Sequence, residues 1–150
     1  MSTPKNILVA TDFGEASSEA LRYAFGLAAG GDAKVHLVHA VTVQGMLEAA
    51  SPLHEPLEDA DAWTLRKLAQ LVEPYRAAGH VGELRAPIGD PAELILRTAD
   101  ELSADLVVVG AHGGRPLGRT SVAGRVFRQA ACPVVVLRGA SPSARPHHAA

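Results

Sequence analysis

The chain holds one cysteine, Cys132, so no internal disulfide can form and a reducing compartment is the expected setting. No apolar run approaches the roughly 20 residues of a membrane span. The opening Met1-Ser-Thr-Pro-Lys-Asn6 lacks the apolar core of a secretion signal, so the cytoplasm is the expected location. Neither sign of charge is in excess: 14 Lys and Arg stand against 16 Asp and Glu, for a net charge of −2. That balance argues against a protein whose main partner is nucleic acid or an anionic membrane, and partners must be sought at local sites.

What is present is enough apolar material for one domain, 150 residues at 47% hydrophobic. Short β-branched runs alternate with stretches of helical period, the pattern of a parallel sheet covered on both faces. Ile7 to Ala10 reads as the first strand. Leu21, Ala24, Phe25 and Ala28 then share one helical face, ended by Gly30-Gly31. Lys34 to Val41 is the second strand. From about Thr42 to Pro56, Gly45, Pro52 and Pro56 interrupt any period, which predicts a long variable connection or lid. Leu57, Thr64, Leu68, Leu71, Val72 and Tyr75 restore helical spacing, and Pro74 should bend or end that helix. Val81 to Ala86 is a weak third strand. Asp90-Pro-Ala-Glu93 combines a cap, a proline in first position and an acid three residues after the cap, and so starts a helix. Leu106 to Val109 and Pro133 to Leu137 are the fourth and fifth strands. A tail from Gly139, with no period, is expected to be disordered.

The most informative stretch runs from Val107 to Val126, where a buried strand enters a loop with Gly110, Gly113, Gly114 and Gly118. Without a Cβ these residues let the backbone turn and bring N–H groups close to an anion. Thr120 or Ser121 can cap the helix that follows, whose unpaired N–H groups add positive potential. The local chemistry is that of a phosphate site.

Four blocks in order, Ile7-Leu-Val-Ala-Thr-Asp-Phe-Gly-Glu-Ala-Ser17, Gly89-Asp-Pro-Ala-Glu-Leu-Ile95, Ala104-Asp-Leu-Val-Val-Val-Gly-Ala-His-Gly113 and Ser121-Val-Ala-Gly-Arg-Val126 with Cys132-Pro-Val-Val-Val-Leu-Arg138, resemble the universal stress protein family. The resemblance spans Ile7 to Arg138 apart from the long connection. It implies one domain over residues 1–138 with an open five-stranded parallel sheet in the order 3-2-1-4-5, Rossmann-like and of the adenine nucleotide alpha hydrolase type. It also implies a cytoplasmic homodimer formed through the last strand, Val134 to Leu137, and a role in stress adaptation.

In the ATP-binding branch of that family the loop reads Gly, two residues, Gly, nine residues, Gly, then Ser or Thr. Gly110 and Gly113 match its start, and Ser121-Val122-Ala123 its end. Only the six residues Gly114 to Arg119 separate Gly113 from Thr120, which takes the last glycine's place, so the loop is three residues short. A threonine there should not accept a positive φ cheaply. Arg115 and Arg119 can offset the shortening by contacting phosphate directly. Asp12 follows the first strand where the family's ATP binders carry an acid near the nucleoside. It can accept from ribose hydroxyls or an adenine amino group, or it can cap the turn into the first helix. By the same resemblance Ala10 and Ala40 line the adenine pocket, with Thr120, Ser121 and Val122 at the far end of the motif.

Plainer readings apply elsewhere. His36 and His39 lie three apart on a strand and face opposite sides, which spoils them as a metal pair. His112 can donate to a phosphate or satisfy its own loop, and the structural role is favoured. Cys132 reads as a small buried hydrophobe. Trp63 can serve as core or cover a pocket. Three functions from different classes remain: a sensor binding ATP or a related nucleotide between the first and fourth strands, a nucleotide-free interaction or protective protein, and a slow ATPase. Catalysis would need a base or metal-binding acids near the phosphates, and the loop offers glycines, arginines, Thr120, Ser121 and His112; the enzyme ranks last.

Overall fold

The unbroken apolar run Leu106 to Val109 can be buried whole only in a strand covered on both faces. The computed structural model, which describes residues 3–49, 60–111, 117, 118 and 120–139, places it so. β4 (Leu106–Ala111) lies between β1 (Asn6–Ala10) and β5 (Val134–Arg138). β2 (Lys34–Val38) and β3 (Val81–Arg85) complete an all-parallel sheet ordered β3-β2-β1-β4-β5. Alternation sends Leu106 and Val108 to one face with Ile7, Val9, Val35 and Leu37, and Val107 and Val109 to the other with Leu8 and Val38.

α1 (Glu15–Ala28) covers the first face through Ala20, Leu21, Ala24, Phe25 and Ala28, joined by Leu68 and Val72 of α3 (Ala60–Val72). The second face is covered by Ala92, Ile95 and Ala99 of α4 (Pro91–Glu101) and by Ala123 and Val126 of α5 (Val122–Gln129). Pro74 acts as its ring dictates: α3 ends at Val72, and a 3-10 segment, Glu73–Ala78, carries the chain to Gly79, whose φ of 80° closes it. Tyr75 in that segment stacks on Phe25 with centroids 4.0 Å apart.

Apart from shifts of one residue at the ends of β1, β3 and β5, the structure differs from the sequence reading in three places. β2 stops at Val38, and Val41 makes only an isolated bridge to Ile88. The stretch read as a connection holds a short helix, α2 (Val43–Ala49), opened by the bond from Met46 N to Thr42 O; Gly45 weakens its helical propensity but two turns need few favourable residues. β4 runs on through Gly110 and Ala111, paired with Leu137 and Arg138. Residues 50–59, with Pro52, Pro56 and Leu57, and the tail beyond Gly139 lie outside the described residues.

The β2–β3 ladder carries an irregularity built on a histidine. Between Val35 and Leu37 the partner strand advances from Val81 to Leu84, one residue too many. Buried His36 sits opposite the extra residue, and its Nδ1 accepts from the Glu83 N–H at 2.9 Å. Nε2 therefore carries the proton and donates to Asn6 Oδ1 at 3.0 Å. Burial, helped by Arg85 and Lys34 and opposed by Glu83, holds this imidazole below its usual range and keeps it neutral. His39 lies past the end of β2, so the two histidines are separated for a reason beyond strand alternation.

Candidate functional site

A cavity of about 420 Å³ opens at the carboxyl ends of β1, β2 and β4, where the strand order reverses. Ala10, Val38, Val109 and Gly110 bring the strand ends to it. The first turns of three helices meet there: Ala16 and Ser17 of α1, Pro91 of α4, and Val122 and Ala123 of α5. Each helix start leaves backbone N–H groups unpaired within the helix, and their partial positive charge adds up beside the cavity.

The turn from β1 into α1 forms one wall. Buried Thr11 accepts from Phe13 N at 3.0 Å and donates to Ser17 Oγ at 3.0 Å. The Ser17 proton is shared between Gly14 O at 2.9 Å and Asp12 Oδ1 at 3.1 Å. Asp12 Oδ1 also accepts from Gly14 N at 2.7 Å, an Asx turn. The turn reading of Asp12 is thus correct in kind, but the helix cap itself is Gly14, which makes no side-chain cap bond. Phe13 sits at a φ of 64°, an unusual value for a bulky residue. Its ring lies 4.5 Å from that of His39, and Lys67 Nζ lies 4.3 Å from the Phe13 centroid and 4.5 Å from that of Trp63.

The opposite wall is the start of α5. Ser121, not Thr120, is the cap: its Oγ accepts from Gly124 N at 3.0 Å. Thr120 is exposed. Gly110 is needed for a reason other than the anticipated turn. It lies within β4, and a Cβ there would meet Ala16 C at 2.6 Å and Ser17 N at 2.8 Å, so the missing side chain lets α1 approach the strand. Arg125 of α5 reaches back to Asp90 at 3.1 Å, while Asp90 caps α4 by accepting from Glu93 N at 3.0 Å. The Glu93 N–H and the Arg125 guanidinium hold the Asp90 carboxyl below the usual carboxylate range.

Of the residues proposed from sequence, Ala10, Asp12, Ala40, Gly110 and Val122 line this one cavity, and Ser121 sits at its α5 edge without lining it. Thr120 does not line it either. His112, Gly113, Arg115 and Arg119 lie outside the described residues. Trp63 takes the pocket role, 42% exposed at the cavity wall. Phe13, Met46 and Lys67 also line it and were not singled out, and His39, weighed from sequence only as half of a metal pair, lines it too. A signal existed for one of them: Trp63 and Lys67 are four apart, the spacing of neighbours on a helix face. Cys132 is half-buried away from this site, and burial raises its thiol above the usual value, consistent with a packing role. Among the described residues no group of three or more His, Cys, Asp or Glu could hold a metal ion.

The comparisons agree with this geometry. A universal stress protein of Methanocaldococcus jannaschii is 32% identical over 145 residues, covering 89% of this chain and 82% of its own length. The structure resembles a universal stress protein crystallised in complex with cAMP, with a TM-score of 0.67 at 27% identity over 91% of this chain and 98% of the other. A universal stress family protein from Burkholderia pseudomallei aligns at a TM-score of 0.66 and 31% identity, over 91% and 98% of the two chains. The profile of the universal stress protein family matches residues 3–138, and the chain belongs to that family.

Proposed function

We propose that the cavity between β1 and β4 binds an adenine nucleotide and that the protein answers stress through that ligand, without catalysing a reaction. The observation that carries this reading is the convergence of three helix starts on an apolar cavity of about 420 Å³, a size suited to a small molecule. Ala10, Ala40 and Val109 offer an apolar seat for a base, Asp12 keeps Oδ2 without a hydrogen-bond partner among the described residues, and the first turn of α5 offers positive potential to a phosphate. The complex of a relative with cAMP supports an adenine ligand. ATP in particular is assigned from the loop pattern, with Gly113, His112, Arg115 and Arg119 as its further contacts. The non-catalytic reading is supported by the place of the cavity's described titratable side chains: Asp12, His39 and Lys67 gather around the Phe13 turn after β1, not at the start of α5 where a phosphate is proposed to lie. Titration calorimetry with ATP, ADP, AMP and adenosine tests it. Binding that strengthens with phosphate number is expected; no heat and no thermal shift with any of the four at millimolar concentration overturns it and favours a nucleotide-free interaction protein.

The protein is further proposed to be a cytoplasmic homodimer joined at β5. No helix among the described residues is long and apolar enough to cross a membrane. β5 ends the sheet, and Pro133 and Gly139 bond to β4, so alternation turns the Val134 and Val136 N–H groups outward. Val136→Pro removes one outward donor and leaves the β4 ladder alone. Sedimentation should show the dimer shift to monomer; an unchanged dimer places the interface elsewhere.

A further inference from the structure

The two sides of the cavity differ in chemistry. At the α5 side, Val122 and Ala123 present a helix start, suited to negative charge. At the side of β1 and β2, the ring of Phe13 carries two polar groups, His39 packed at 4.5 Å and tilted by 47°, and Lys67 with Nζ at 4.3 Å. Lys67 has no carboxylate partner among the described residues. The faces of Phe13 and Trp63 hold it, and its N–H donors stay available to a ligand. His39 Nδ1 lies 2.7 Å from Thr11 O, and a carbonyl can only accept, so Nδ1 is the N–H and Nε2 of the neutral ring is an acceptor. One donor and one acceptor thus stand on a single aromatic platform, whose backbone is fixed by the Thr11 and Asp12 turns at the strained Phe13.

Building on the nucleotide reading of the cavity, we propose that Lys67 and His39 read the edge of the ligand's base: Lys67 donates to a ring nitrogen, and His39 Nε2 accepts from an exocyclic amino group. The site then selects an amino-bearing base of the adenine kind over a hypoxanthine-type base, which presents a carbonyl at that position. Phosphate is handled at the other side, so base selection is independent of phosphate number.

Lys67→Met keeps the chain length and the contact with the rings while removing the donor. It should weaken adenosine, AMP and ATP by the same factor, about tenfold, in calorimetry and in the fluorescence of Trp63, the sole tryptophan. Wild type should bind inosine about tenfold more weakly than adenosine, the size expected when a buried polar group loses its partner. His39→Asn, whose amide can still donate to Thr11 O but lacks an Nε2 equivalent, should bring that ratio close to one. A Lys67→Met loss that grows with phosphate number would make Lys67 a phosphate contact and overturn the proposal, as would unchanged affinity or equal wild-type binding of inosine and adenosine. If wild type binds no nucleoside or nucleotide, the reading of the cavity itself fails, a result visible before any variant is made.

Discussion

Helices α1 and α4 begin at the same edge of the sheet, each just past a strand, yet they begin differently. At α4 the start is made by short-range side-chain chemistry: Asp90 caps, Pro91 takes first position, and Arg125 of α5 clamps the cap. α5 repeats the pattern with Ser121. At α1 the cap is Gly14 with no side-chain bond, and the polar groups around it, Thr11, Asp12 and Ser17, are tied into a network that shapes the turn before the helix. That turn holds Phe13 at positive φ and lays its ring in the cavity. Where a helix start only ends a loop, local capping rules suffice. Where the same residues wall a pocket, the rules bend, and the cost falls on the surrounding contacts.

The sharpest way to break the α1 side is at Gly110. A valine there would drive its Cβ into the Ala16 and Ser17 backbone, which cannot move without lifting the helix from β4. Gly110→Val should destabilise by about 3 kcal/mol, near the upper end for overpacking, and abolish ligand binding with it. Urea unfolding checks this; a stability close to wild type would mean α1 can slide, and the close approach would then not explain the glycine.

Ser17→Ala tests the network itself. Ser17 is buried, and its loss leaves the Thr11 hydroxyl without its acceptor and Asp12 Oδ1 with one donor fewer. A cost of about 1–2 kcal/mol is expected, as for a buried hydrogen-bonding group left unpaired. Because Thr11 also fixes Phe13, affinity for nucleosides should fall together with stability. On the α5 side, Ser121→Ala should cost about 1 kcal/mol, in the ordinary range for a cap. If the two variants affect adenosine binding equally, the contrast between the two starts is one of geometry and not of function.

The same contrast explains what could be read from sequence. The apolar run of β4, the periodic face of α1 and the Asp90 cap are local signals, and each appears in the structure. So does the order of strands, which the family resemblance implied. Gly110 was singled out for a turn toward an anion, and the structure adds a reason that sequence does not carry: a glycine announces closeness without saying to what, and only the packed helix shows that Ala16 is the neighbour. α2 was missed since seven residues with Gly45 among them carry too little period to register. Phe13, His39 and Lys67 come from three separate elements and acquire meaning only when the chain folds them onto one ring.

The smallest effect tests the α4 side, through charge alone. Asp90 is held below its usual titration range chiefly by the Glu93 N–H, with the Arg125 hydrogen bond and charge adding to it. A carboxylate whose folded pKa is depressed contributes stability above its unfolded value of about 3.9, and that contribution disappears as pH falls through the folded value. Asp90→Asn keeps a competent cap and removes the charge. Its urea midpoint should therefore lie slightly below wild type at neutral pH, and the gap should close as pH drops below about 4. Asp105, also depressed by the N–H groups of Asn6 and Lys5, titrates in both proteins and cancels in the difference. Added salt should narrow the neutral-pH gap without erasing it, since the Arg125 pair is screened while the hydrogen bond to Glu93 N is short-ranged. A gap that stays constant down to strong acid would show that the cap works by shape alone and that its charge adds nothing.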